Sequence, residues 1–175
     1  MSFVVAAHSP AWSRLFLVLQ DELQAVFAST HVDIEHIGST SVAGLSAKPV
    51  IDILVGAASL ADIEARIPAM QAAGYDHVSR YESELPMRRY FVKSPADSLR
   101  VHVHAVVRGG DLWHDHLAFR DALRTDADLR DRYQALKLDL AHRCAHDKSA
   151  YTEAKGPFIR GTIETLRNVR RSGES

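Results

Sequence analysis

The stretch Ile37–Val55, IGSTSVAGLSAKPVIDILV, decides how the whole chain is read. Its second half, Pro49–Val55, is a nearly continuous β-branched run of the kind buried on both faces at the centre of a sheet. The single charged residue in that run, Asp52, therefore stands out. Ahead of it, Gly38-Ser39-Thr40-Ser41 breaks a short strand over Val32–Ile37, where Val32, Ile34 and His36 alternate with Asp33, Glu35 and Ile37. A turn of small hydroxylated residues lets backbone N–H groups and hydroxyls approach phosphate oxygens. Asp52 follows Ser39 by 13 residues on the next strand. A carboxylate there can hold a divalent cation against those oxygens, and Lys48 adds a positive charge between them.

Outward from this stretch the apolar spacing predicts the other elements. Leu15, Phe16, Leu19, Leu23, Val26 and Phe27 recur at helical period from Pro10 to about Ser29. Leu60–Ala73 reads as one helix closed by Gly74. Strands are expected around Tyr75–Arg80, Met87–Lys93 and Leu99–Val107. In the last of these, Leu99, Val101, Val103 and Ala105 take one face and Arg100, His102 and His104 the other. After the Gly109-Gly110 turn the chain reads as helical: Trp113–Arg124 capped by Asp111, Ala127–His146, and Thr152–Arg171 interrupted near Gly156-Pro157. The tail RRSGES reads as frayed. This order lacks the regular β-α alternation of a doubly wound sheet. It predicts an α/β (α+β) domain over 1–175, with a mixed sheet and flanking helices in about 10–107 and a helical part in about 111–171.

With 175 residues, 46% hydrophobic and 25% charged, the chain can bury a core without metals or disulfides. Its one cysteine, Cys144, excludes an intrachain disulfide and a thiolate-only zinc site. A net charge of −1 argues against an extended nucleic-acid surface. The 10 histidines would turn the chain basic below about pH 6. No apolar run approaches the roughly 20 residues of a membrane span. MSFVVAAHSPAW lacks the basic start of a signal peptide, so a cytoplasmic location is expected.

The string IEHIGSTSVAGLSAKPVIDILV resembles the signature of the GrpB family, whose fold is nucleotidyltransferase-like. The resemblance continues through Leu85–Phe91 (LPMRRYF), Val101–His104 (VHVH), Phe119–Asp121 (FRD), Tyr133–Lys137 (YQALK) and Tyr151–Lys155 (YTEAK). It spans about Trp12 to Ile163. It implies phosphate handling by Gly38, Ser39 and Thr40, and it raises Arg120, Lys137 and Lys155 as phosphate contacts. GrpB-like domains also occur fused to dephospho-CoA kinase, but this chain has no P-loop. One departure matters. Nucleotidyltransferases place a second carboxylate two residues after the first, and here that residue is Leu54. Where a later strand would bring a third, this chain offers His102 and His104.

The expected site therefore combines Asp52 as metal ligand or base with His102 and His104 as further metal ligands or proton carriers. Lys48 and Arg89 would neutralise charge. One Asp with two imidazoles holds a hard Mg²⁺ poorly and suits Zn²⁺, Mn²⁺ or Fe²⁺ better. The plainer reading gives Asp52 a structural ion pair with Lys48 or Arg89 and leaves the histidines on the sheet surface. Arg88 and Arg89 face opposite ways, so only one reaches the pocket. Either Glu35 or His36 lines it. Tyr151 packs while Lys155 contacts an anion, and the helical pair His142/His146 lacks a third zinc ligand. The leading functional expectation is a transferase acting on a nucleotide or phosphorylated small molecule with Mg, Mn or Zn. The alternatives are a non-catalytic nucleotide- or CoA-like ligand-binding module and a metal-assisted hydrolase using Asp and His. A homodimer is compatible with any of them.

Overall fold

The computed structural model describes residues 5–144 and 146–173. The first four residues of the N-terminal stretch, Ala145, and Glu174–Ser175 of the tail lie outside the described residues. The elements run α1 (Pro10–Phe27), β1 (Asp33–Ile37), β2 (Val50–Ala57), α2 (Leu60–Glu64), α3 (Ile67–Ala72), β3 (Asp76–His77), β4 (Arg88–Lys93), β5 (Arg100–Val107), α4 (Asp111–Thr125), α5 (Ala127–Arg143) and α6 (Lys148–Gly173). The five strands form one mixed sheet in the order β1-β2-β5-β4-β3. Only β2 and β5 are parallel; the other neighbours are antiparallel.

The register sorts the side chains onto two faces. Ile34, Ile51, Ile53, Val55, Phe91, Val101, Val103 and Ala105 form the main core with Trp12, Phe16, Leu19, Leu23 and Phe27 of α1. Asp52, Leu54, His102, His104, Arg88 and Tyr90 lie on the other face, since Asp52 pairs with His102, Leu54 with His104, and His104 with Tyr90. One end of that face is sealed by α4, whose Trp113 packs with Ile37, Leu54 and Val106. A further apolar cluster joins Val42 and Leu45 to Leu123, Leu129 and Tyr133, tying the segment after the glycine-serine turn to the C-terminal helices.

Several local expectations need correction. Leu60–Ala73 is two helices, because Pro68 has no N–H to donate to the Glu64 carbonyl and its ring crowds that carbonyl, so α2 stops at Glu64 and Pro68 stands in the first turn of α3. The strand expected at Tyr75–Arg80 pairs only at Asp76–His77 before a 3-10 turn begins at Ser79. Gly110 caps α4, while Asp111 sits inside its first turn, where its carboxylate favours the helix dipole. Gly156-Pro157 does not interrupt α6, which continues to Gly173 and so includes part of the tail read as frayed. An internal proline costs about 3 kcal/mol; here Phe158 and Ile159 pack onto the Val42–Tyr133 cluster and hold the turn in place. His146 follows the end of α5, so it shares no helix face with His142. Among the described residues, no helix is long and apolar enough to cross a membrane.

Candidate functional site

The glycine-serine turn is built against Asp52. Gly38 has φ +71° and ψ −176°, a conformation essentially restricted to glycine. A Cβ there would lie 2.6 Å from Asp52 Oδ2, so only glycine lets the backbone pass the carboxylate. Ser39–Ser41 then form a single 3-10 turn. Thr40 donates to the Val50 carbonyl (3.2 Å) and accepts from His36 Nε2 (3.0 Å), which fixes the turn on β2. The C-terminal helices grip the same segment. Arg124 donates to the Ser41 carbonyl at 2.8 Å, and Gln134 accepts from the Ser46 N–H at 2.7 Å. Lys137 donates to Ser39 Oγ at 3.1 Å and to the Ser46 carbonyl.

These contacts enclose a cavity of about 230 Å³ lined by Ser39, Thr40, Lys48, Asp52, Lys137 and Lys155, with His102, Tyr151 and Thr152 completing its wall. Tyr151, 1% exposed, has Lys48 Nζ 3.9 Å and Lys155 Nζ 4.4 Å from its ring centroid. It draws two ammonium groups together by cation–π attraction. Neither Lys137 nor Lys155 is within ion-pair distance of a carboxylate among the described residues. Burial, and then the Lys155 charge, push Lys137 down to about 7; burial also lowers Lys155.

Asp52 retains 28% side-chain exposure, and its Oδ1 lies 3.3 Å from His102 Nδ1 and 3.7 Å from His104 Nε2. Burial pushes its carboxyl up, but the two imidazoles outweigh that and hold it well below the usual carboxylate range. Because a carboxylate only accepts, His102 Nδ1 carries the hydrogen; its Nε2 is buried without a partner. Arg88 Nη1 lies 3.4 Å from His104 Nδ1, which sets the opposite tautomer with His104 Nε2–H toward Asp52. Burial lowers His104, and it lowers His116, whose ring lies 5.2 Å away, to about 3.

The structure brings Gly38, Ser39, Thr40, Lys48, Asp52, His102, Lys137 and Lys155 to the cavity or its edge, with His104 immediately behind Asp52. It places the two expected arginines elsewhere. Arg89 pairs with Ala105, on the opposite face of the sheet, and donates to Glu64 at 2.9 Å. Arg88 is the one on the Asp52 face. Arg120 is 9% exposed and is held by Glu35 (2.6 Å), Asp121 (2.8 Å) and the His36 carbonyl. It braces β1 against α4 and does not line the cavity. Glu35 is engaged there, while His36 supports Thr40 from behind and stacks on Phe16. Tyr151 and Thr152 stood in a segment of the family resemblance, but no spacing or pattern around them marked them as cavity lining. Tyr151 was legible only as a packing residue, and its proximity to Lys48 arises from the folding of α6 against a turn about a hundred residues earlier in the chain.

Leu54, where a second carboxylate would be needed, is fully buried under Trp113. Asp52, His102 and His104 are turned onto one another. Among the described residues, no three His, Cys, Asp or Glu side chains are arranged to hold a metal ion. A resident centre of Mg, Mn or Zn on these three residues does not fit.

The sequence and the fold both match known proteins. The GrpB protein family model matches residues 2–165. The glutamate-rich protein GrpB of Alkalihalophilus pseudofirmus is 35% identical over 160 residues, covering 89% of this chain and 91% of that protein. The crystal structure of GrpB from Enterococcus faecalis superposes with a TM-score of 0.83 at 30% identity, over 93% of this chain and 96% of that one. The Cid1 poly(U) polymerase with Mg 3'-dATP bound shares the fold at a TM-score of 0.55 and 14% identity, over 85% of this chain and 49% of that one. The chain belongs to the GrpB family and carries a mixed α/β fold like that of the nucleotidyltransferases.

Proposed function

We propose that this GrpB-family chain binds a phosphorylated small molecule of the nucleotide class, with the phosphates seated in the lysine-lined cavity. The observation that carries this reading is the convergence of Lys48, Lys137 and Lys155 with the Ser39 and Thr40 hydroxyls around one cavity. Two of those ammonium groups lack a carboxylate partner among the described residues. Like charges gathered and desolvated in this way are stabilised by a polyanion. At about 230 Å³ the cavity is smaller than sites that enclose whole ligands, roughly 300–1,000 Å³, so it takes the phosphate end and leaves the remainder outside.

A second reading, catalysis of group transfer, is favoured by the Asp52–His102 pair. The carboxylate orients the ring and leaves Nε2 as an acceptor that suits a general base. The burial of Leu54 supports ligand binding over two-metal nucleotidyl transfer. Titration of ATP and other nucleoside triphosphates, with Mg²⁺, with Mn²⁺ and with chelator, while following binding and pyrophosphate release together, separates the readings. Binding without pyrophosphate release under every condition supports the ligand-binding function. Release at a steady rate that is lost in His102→Gln establishes the second reading, and no binding of any triphosphate overturns both.

A further inference from the structure

The sheet face that carries Asp52 continues past His102 into a second cavity of about 570 Å³. It adjoins the lysine-lined cavity, and the two share Asp52, His102 and Thr152. Its cationic and aromatic lining comes chiefly from Arg88 and Tyr90 of β4, Arg100 at the start of β5, and Arg80 and Tyr81 from the segment before β4; Asp76 and the shared Asp52 are the carboxylates in its lining. The guanidinium of Arg88 sits 5.0 Å from the Tyr90 ring centroid and contacts His104. No carboxylate among the described residues is within ion-pair distance of Arg88 or Arg100. The neighbouring Arg89, by contrast, has both Glu64 and Glu82.

Burial lowers the pKa of Arg88 more than the neighbouring Tyr90, Tyr81 and Glu84 raise it, so its charge is partly desolvated with no carboxylate in direct contact among the described residues. A guanidinium held beside an aromatic ring is suited to receive an oxyanion on its fork of donors and a flat group against the ring. The unpartnered Nε2 belongs to His102, the residue between the two cavities.

We propose that this second cavity is a subsite for a second ligand, a small aromatic oxyanion whose charge sits on Arg88 and whose ring lies along Tyr90. Two ligands then meet at Asp52 and His102, one in each cavity. The inference rests on the phosphate reading only for what fills the lysine-lined cavity.

The test is calorimetric titration of phenyl phosphate and of benzoate into the full chain, alone and with saturating tripolyphosphate. Wild type, Arg88→Met, Arg88→Lys and Lys137→Met are compared, and circular dichroism checks that each variant is folded. At least one aromatic anion is expected to bind, and the stronger of the two identifies the oxyanion as phosphate or carboxylate. Its affinity should fall about tenfold or more in Arg88→Met, recover in part in Arg88→Lys, and stay unchanged in Lys137→Met. Saturating tripolyphosphate should not displace it. The proposal is overturned if neither anion binds, if Arg88→Met leaves the affinity unchanged, or if tripolyphosphate competes for the same site. Arg88-dependent binding with no tripolyphosphate binding would sink the phosphate reading and leave the second subsite standing.

Discussion

Replacing Gly38 by alanine tests whether the turn is built around the Asp52 carboxylate, and Gly44→Ala supplies the control. Both glycines have positive φ, +71° and +79°, but a Cβ at Gly44 meets nothing within 4 Å. Gly44→Ala therefore carries only the left-handed backbone cost of about 1–2 kcal/mol. Gly38→Ala carries a glycine-only backbone cost of about 1–3 kcal/mol. It also places a methyl group 2.6 Å from Asp52 Oδ2 and 3.0 Å from Asp52 Cβ. The carboxylate must then shift away from His102 and His104, weakening a charge-assisted contact of about 1.5–3 kcal/mol. The expected destabilisation is about 3–5 kcal/mol for Gly38→Ala. With a urea slope of about 2 kcal/mol/M, the midpoint should fall by about 1.5–2.5 M for Gly38→Ala and about 0.5–1 M for Gly44→Ala. Equal midpoints for the two variants would refute the reasoning, because the approach to Asp52 and the glycine-only backbone at Gly38 both make the loss larger there.

Other perturbations probe the rest of the site. Leu54→Asp buries a carboxylate under Trp113 and should cost at least about 3 kcal/mol in urea unfolding; a stable variant would show that packing does not fix this position. Lys137, pushed down to about 7, loses its charge as pH rises through that value. Tripolyphosphate affinity should accordingly fall about tenfold between pH 6 and pH 9 in wild type and less in Lys137→Met, and identical profiles would contradict this. Tyr151→Leu releases Lys48 and Lys155 and should weaken tripolyphosphate binding about fivefold or more while salt still screens the remainder. Burial holds His36 down to about 4 and His116 to about 3, both below the ordinary value of 6.5. The unfolded chain then binds more protons below pH 6.5. Stability should be complete above that pH and fall toward pH 4 by up to about 1.4 kcal/mol per unit for each histidine. A flat urea midpoint between pH 7 and pH 4.5 would show that these rings are not held neutral.

The central strand, the glycine-serine turn and the paired histidines were legible because period-two alternation and β-branched density report burial directly. Val101 and Val103 enter the core and His102 and His104 face Asp52, as the spacing requires. The split at Pro68 also had a local signal, since proline breaks the helical bond to the residue four before it, but the helical periodicity outweighed that signal. Pro157 misled in the other direction, because its cost is met by tertiary packing that no local rule contains. The same limit explains the arginines. Spacing says that Arg88 and Arg89 face opposite ways; only the register against β5, which sets Arg89 opposite Ala105, says which one joins Asp52. Arg120 met Glu35 from 85 residues away, and buried histidines kept neutral by desolvation make the chain less basic in acid than its histidine count implies.

The most direct measurement is a crystal structure of the chain soaked with tripolyphosphate. The phosphate reading predicts density between Lys48, Lys137 and Lys155, with an oxygen within hydrogen-bond reach of the Ser39 hydroxyl. An empty lysine cavity in crystals whose solution affinity guarantees saturation, or density only at another surface, would contradict it.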